Sequence, residues 1–273
     1  MLILLTNDDG IFAPGLRALR EAWEQQEDCE VYVVAPAEER SASGHAITLF
    51  RPLMVEEVVF PGSLVKGWSV GGTPADAVKL AVGAVLPRPP DLVISGVNRG
   101  PNLGSDVFYS GTVSAAIEGT ILGIPSLAVS LAAYEDGDYG LAARFSRYLA
   151  REALRRGWPA GVLLNVNVPP LEPYEIAGVA VTRLGVRHYR NIFDRRVDPR
   201  GRVYYWLTGE AVDGEEPEDS DVMALRQNLI SVTPVHLDLT HHDMVKTMRA
   251  WDLSGTLDRC LRGQAGRDTE PAG

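Results

Sequence analysis

MLILLTNDDGIFAPGLRALREAWEQQEDCEVYVVAP, residues 1–36, sets two apolar runs on either side of an amphipathic one. Residues 2–6 read as a buried β-strand, and EVYVVAP (30–36) as a second. Between them, residues 14–26 read as a helix. Pro14 suits its first turn, and Leu16, Leu19, Ala22 and Trp23 fall on one face. Strand, helix and strand in so short a span form a βαβ unit, which implies a parallel sheet with a right-handed crossover. The polar turn after the first strand carries adjacent aspartates, Asp8 and Asp9. Like charges repel, and burial makes an ionised carboxylate costly. Something must offset that cost, and a bound cation is the leading candidate.

The alternation continues downstream. Residues 37–50 form a polar loop leading into a short strand. LMVEEVVF (53–60) and LVKGWSV (64–70) are strand-like, with a hairpin turn at 61–63. TPADAVKLAVGAV (73–85) begins a helix with an N-cap threonine and an N1 proline. DLVISG (91–96) is a strand, TVSAAIEGTILG (112–123) a helix and PSLAVSL (125–131) a strand. A helix over 138–155 and the strand GVLLNVNVP (161–169) follow. This pattern predicts an α/β fold with a doubly wound three-layer core and a mostly parallel sheet over residues 1–170. Residues 171–261 differ. AGVAVTRLG (177–185) and RVYYWLTG (202–209) look like the strands of an extended β-hairpin with an arginine-rich tip. DGEEPEDSD (213–221) is an acidic loop, LISVTPVHLDLT (229–240) a returning strand, and residues 241–261 a C-terminal helix. Residues 262–273 are small and polar, and are expected to form a flexible tail.

The 273 residues carry a formal net charge of −10. That argues against nucleic-acid binding through a basic surface. A small anion would need a local device: a metal, a helix N-terminus or a confined arginine cluster. Cys29 and Cys260 form neither a CxxC pair nor a zinc spacing, and read as reduced thiols. The N-terminal apolar run lacks a basic flank and is too short for a signal peptide. The uncharged stretch 120–134 is broken by Gly123 and Pro125, so no membrane span is expected. A cytoplasmic location follows as the default.

Ligands of open parallel sheets bind beyond the C-terminal ends of the strands. The strong polar motifs here each follow an expected strand: NDDG, APAEERSASGH and SGVNRGPNLG. They should therefore converge on one rim. Asp8 and Asp9 have a plain reading as helix cap and turn residue. They also suit a site for Mg2+, Mn2+ or Ca2+, with oxygen ligands completed by Ser41 and Asn98. In YSGTVSAAIEG (109–119), Ser110, Gly111 and Thr112 lead into a helix and offer backbone N–H groups to a phosphate, or serve simply as its cap. No GxGxxG or GxxxxGK[ST] pattern is present, which lowers dinucleotide and P-loop binding. His45 either donates a proton to a leaving group or holds its loop. Seven arginines between 183 and 202 line a substrate face or pair with the acidic loop.

TNDDG (6–10), RSASGHAIT within residues 35–48, GGTPADAVKL (71–80), SGVNRGPNLG (95–104) and SGTVSAAIEG (110–119) together resemble the SurE family, the survival-protein nucleotidases. The likeness runs in order over about residues 1–235. Ala46 stands where many members carry serine, and Ala77 where many carry cysteine. The resemblance implies a Rossmann-like core with a C-terminal hairpin extension that exchanges between subunits of a homodimer or homotetramer. It implies a cytoplasmic phosphomonoesterase acting on nucleoside 5′- and 3′-monophosphates, with one divalent cation, Mg2+ or Mn2+, per subunit. Its metal ligands fall on Asp8, Asp9, Ser41 and Asn98, and its phosphate-binding turn on Ser110, Gly111 and Thr112. The expected mechanism is attack by metal-activated water, with Asp8 and Asp9 as the catalytic carboxylates. Two rivals stay open. Asp8 could form an aspartyl-phosphate, although that chemistry resembles DxDx[TV], with carboxylates two apart. Alternatively the chain senses nucleotides without turnover.

Overall fold

A computed structural model describes residues 1–135, 137–212 and 216–261. The opening unit is β1 (Leu2–Thr6), α1 (Pro14–Glu24) and β2 (Glu30–Pro36). β3 (Val55–Val59) and β4 (Lys66–Val70) form the expected antiparallel pair. Next come α2 (Pro74–Leu80), running on into a π-helical turn at Ala81–Val85, and β5 (Leu92–Arg99). A 3₁₀ turn at Gly104–Phe108 leads to α3 (Gly111–Ile121), β6 (Ser126–Leu131), α4 (Gly140–Arg156) and β7 (Val162–Val168). The rest is β8 (Gly178–Val181), β9 (His188–Val197), β10 (Val203–Val212), α5 (Asp221–Arg226) and β11 (Leu229–His236).

Nine strands make one sheet in the order β3-β4-β2-β1-β5-β6-β7-β11-β8. The run β4-β2-β1-β5-β6-β7 is parallel throughout. This is the Rossmann-like α/β fold. β1 supplies both faces because successive strand side chains point opposite ways. Ile3 and Leu5 pack with Leu16, Leu19 and Trp23 of α1 and with Ala142 and Ala143 of α4. Leu4 packs on the other face with Ala77 and Val78 of α2 and Ala115 of α3. Helices on both faces are what a strand with no polar side requires.

Several sequence expectations need correction. The short strand expected after residues 37–50 does not form, and that stretch is irregular up to β3. AGVAVTRLG is not a hairpin strand. Its β8 pairs in parallel with β11 at the far edge of the main sheet. The arginine-rich stretch is mostly not tip: it runs into strand β9, paired antiparallel with β10 from His188↔Val212 to Val197↔Val203, and Arg200 and Arg202 alone of it lie in the turn between the two strands. The acidic loop ends in a short helix, α5, with Ser220 as its N-cap. Residues 213–215 of that loop and the tail at 262–273 lie outside the described residues.

Residues from Asp238 onward form a second compact unit. The single helix expected over 241–261 is two, α6 (His242–Met248) and α7 (Leu253–Leu261). They are separated by residues 249–252, and neither buries a residue. Among the described residues no helix is long and apolar enough to cross a membrane.

Candidate functional site

The loops after β1 and β2 and the C-terminal end of β5 meet at one cleft of about 850 Å³, lined by Asp8, Ser41, Asn98 and Ser110 among others. Asp8 lies just beyond β1 and is 5% exposed. The Thr112 hydroxyl donates to its Oδ1, and its carbonyl accepts the Arg40 N–H at 2.7 Å. That second bond seats the Ser41 loop against β1. Gly111 opens α3 directly on this carboxylate. A Cβ at Gly111 would lie 2.7 Å from Asp8 Cβ and 2.8 Å from Oδ2. Burial pushes the Asp8 carboxyl up to about 7, with the charge of Asp9 adding to it and hydrogen bonds from Thr112 opposing.

Asn98 lies past a β-bulge. From Ser95 to Asn98 the β5 chain takes three steps while its partner β6 takes two, Ala128 to Ser130. Such bulges re-aim side chains. The Asn98 Nδ2 donates to the Gly100 carbonyl at 2.8 Å, which fixes its amide orientation and leaves Oδ1 available as an acceptor. The Ser41 hydroxyl donates to Glu39 Oε1 at 2.6 Å. Asp9 does not line the cleft. Its Oδ2 accepts the Arg99 N–H at 3.2 Å, joining the first loop to the end of β5 beside the cleft.

The Ser110–Thr112 turn is more committed than its sequence suggests. Ser110 Oγ caps α3 by accepting the Val113 N–H at 3.0 Å, and Thr112 is fully buried against Asp8. The positive end of the helix therefore supports the Asp8 carboxylate first, and Ser110 is the member of the turn that lines the cleft. His45 is not a lining residue. Its Nε2 lies 3.0 Å from Oε2 of the buried Glu118, whose other oxygen accepts from Lys79 at 2.8 Å. That is the loop-holding reading of His45.

The arginine stretch divides. Arg183 pairs with Asp219 of the acidic loop at 2.7 Å, whereas Arg196 and Arg202 pair within the hairpin with Asp194 and Asp198. Arg187 enters the cleft. It lies 2.8 Å from Asp106 Oδ2, and its other nitrogen is 3.4 Å from the Tyr134 hydroxyl. Phe108, Tyr109 and Leu207 complete this side, 63%, 69% and 63% exposed.

A family model described as "Survival protein SurE" matches residues 3–191. The chain belongs to the SurE family. It is 57% identical over 253 residues to a protein of Symbiobacterium thermophilum named 5′-nucleotidase SurE, covering 93% of this chain and 99% of that one. A protein of the same name from Carboxydothermus hydrogenoformans is 53% identical over 253 residues, covering 92% and 96%. The crystal structure of the SurE protein from Aquifex aeolicus matches at TM-score 0.78 and 40% identity, over 91% of this chain and 98% of that one.

The donors of this SurE site suit a hard divalent cation. Carboxylate, hydroxyl and amide oxygens, with no sulfur or imidazole, are the ligand set of Mg2+ and Mn2+. A buried carboxylate that feels the charge of a neighbouring one is also the environment that a cation relieves.

Sequence reasoning missed the floor of the cleft. Asn102 is clamped by Asn165 and Asn167 of β7. Its N–H donates to Asn167 Oδ1 at 2.8 Å, and its carbonyl accepts from both amides, at 2.8 and 3.0 Å. The signal was present in LLNVNV, where two asparagines at strand period in an apolar run must find partners. Asn167→Ala leaves the buried Asn102 N–H without its acceptor. We expect a loss of about 1–3 kcal/mol, read as a lower urea midpoint at unchanged slope.

Proposed function

We propose that this chain hydrolyses nucleoside 5′-monophosphates, and 3′-monophosphates, to nucleoside and phosphate, using one Mg2+ or Mn2+ ion per subunit. The observation that carries the reading is the convergence of Asp8, Ser41 and Asn98, from two loops and the end of β5, on one cleft that Arg187 also lines. Asp8, Ser41 and Asn98 hold the ion, with Asp9 completing the set from beside the cleft. When bound, the ion supplies Lewis-acid polarisation of the phosphoryl group and acidifies water.

The residues of the chain do the rest. Thr112 and the N-terminus of α3 fix the Asp8 carboxylate, which costs no reorganisation during reaction. Asp8 acts as ligand more than as base, because a carboxylate committed to a cation is a weak proton acceptor. Asn98 and the Ser110–Thr112 turn receive the phosphate oxygens. The exposed rings of Phe108 and Tyr109 offer a face for the base, and Arg187 offers hydrogen bonds to the nucleoside. The reaction belongs in the cytoplasm. A homodimer or homotetramer would cover the exposed Phe193, Tyr205 and Trp206 of the hairpin.

The test is phosphate release from a panel of 5′- and 3′-monophosphates before and after chelation. Activity should disappear on metal removal and return with Mg2+ or Mn2+. Hydrolysis that persists in thoroughly metal-free protein overturns the reading.

A further inference from the structure

Asp221 opens α5 and has no exposed surface. Its neighbourhood in the sequence looks like solvated charge, yet its carboxylate is satisfied by backbone from three stretches of chain. Oδ2 accepts the Gly104 N–H at 2.9 Å. Oδ1 accepts the Gly185 N–H at 2.8 Å and the Val222 N–H at 2.9 Å. The Asp221 N–H in turn donates to the Arg183 carbonyl at 2.9 Å.

The two glycines it joins touch backbone to backbone. A Cβ on Gly104, whose φ is +50°, would lie 2.6 Å from the Gly185 carbonyl oxygen. Gly104 begins the 3₁₀ turn that carries Ser105, Asp106 and Phe108 into the cleft. Gly185 stands two residues before Arg187. The Arg187–Asp106 pair then closes a ring: Asp221, Gly104, Asp106, Arg187, Gly185 and back to Asp221. Hydrogen bonds to an ionised acceptor are the strong ones, so this ring stiffens the contact between two chain segments that the Ser105 hydroxyl, donating to the Arg187 carbonyl at 3.3 Å, also joins.

We infer that Asp221 is a positioning residue: without touching substrate, it sets the place of the nucleoside-binding side of the cleft, Arg187 and the Asp106–Phe108 rim, relative to the Asp8 end. This rests on the nucleotidase reading above. A substrate without a nucleoside does not use that side. Loosening the ring therefore harms nucleotide recognition and leaves hydrolysis of a small aryl phosphate in place.

Asp221→Asn tests this directly. The amide oxygen still serves Gly185 and Val222, but its NH2 meets the Gly104 N–H, donor against donor. Gly104→Ala strains the same contact from the other side and alters no charge. Each variant should raise KM for AMP by about tenfold, the scale set by small misplacements of binding groups. Each should change kcat for AMP, and both constants for p-nitrophenyl phosphate, by less than about twofold, as expected when ground-state and transition-state binding are lost equally. Amide hydrogen exchange over residues 103–110 and 185–187 should accelerate in both variants.

Equal losses toward AMP and the aryl phosphate overturn the proposal, as does an unchanged KM for AMP. Unchanged exchange at the Gly104 and Gly185 amides overturns it even if wild-type protein is an active nucleotidase. Wild-type protein that releases no phosphate from AMP refutes the hydrolase reading instead. Calorimetric binding of AMP then decides the tether: weakened binding in Asp221→Asn supports it, and unaltered or absent binding overturns it.

Discussion

Asp8→Asn lowers kcat/KM for nucleoside monophosphates by more than about a hundredfold, since losing even a partner behind a metal ligand costs ~10–100-fold. The substitution keeps the shape of the side chain. Thr112 can still donate to the amide oxygen at the position it now serves. What is lost is the negative charge, and with it the strongest attraction for a cation at this rim. Metal affinity, measured by equilibrium binding, should fall in parallel. Stability should not. A desolvated carboxylate is a burden on the metal-free fold, so its neutral replacement leaves the urea midpoint unchanged or higher. Undiminished stability with lost activity separates chemistry from folding. Full activity in Asp8→Asn removes this residue from the ligand set, and the proposed mechanism with it.

Gly111→Ala is expected to cost nearly as much without altering any ligand. The new methyl would stand 2.7 Å from Asp8 Cβ and 2.8 Å from Oδ2, so Asp8 or the start of α3 must move. Alanine is the better helix former by up to about 1 kcal/mol. Overpacking of a tight contact costs ~1–3 kcal/mol, so net stability changes little or falls modestly. Activity responds more steeply, because a displacement of about 1 Å in a reacting constellation can cost ~10²-fold. The measurement is kcat/KM at saturating metal beside a denaturation curve. Wild-type turnover in Gly111→Ala would mean that close seating of Asp8 on the helix is unnecessary, and that the carboxylate reaches its ion from another position.

The core was legible because its signals are local. Ile3, Leu4 and Leu5 form an unbroken apolar run, and Leu16, Leu19 and Trp23 repeat at helical spacing. Together they specify a strand buried on both faces beneath a helix. The positions of Asp8, Ser41 and Asn98 were legible because each lies at or beyond the C-terminal end of such a strand, and parallel order carries them to the same edge. The first strand of the hairpin was misplaced for the converse reason. β9 and β10 pair only with each other, and Phe193, Trp206 and Leu207 are exposed. Among the described side chains of β9 and β10 none is buried, so there is no alternation to find, and RHYRNIFDRRV reads as a charged turn. Asp221 was hidden differently. Its partners are backbone N–H groups at Gly104 and Gly185, and nothing in the letters near position 221 names them. Asn165 and Asn167 fall between these cases, conspicuous by type and spacing yet silent about Asn102.

The extra residue in β5 carries a consequence for how this motif can vary. Deleting one residue between Ser95 and Asn98 would bring β5 and β6 back into step with Asn98 still opposite Ser130, but it would remove the bend that a bulge gives its strand. Drift in this stretch can therefore proceed by substitution more freely than by gain or loss of a single position.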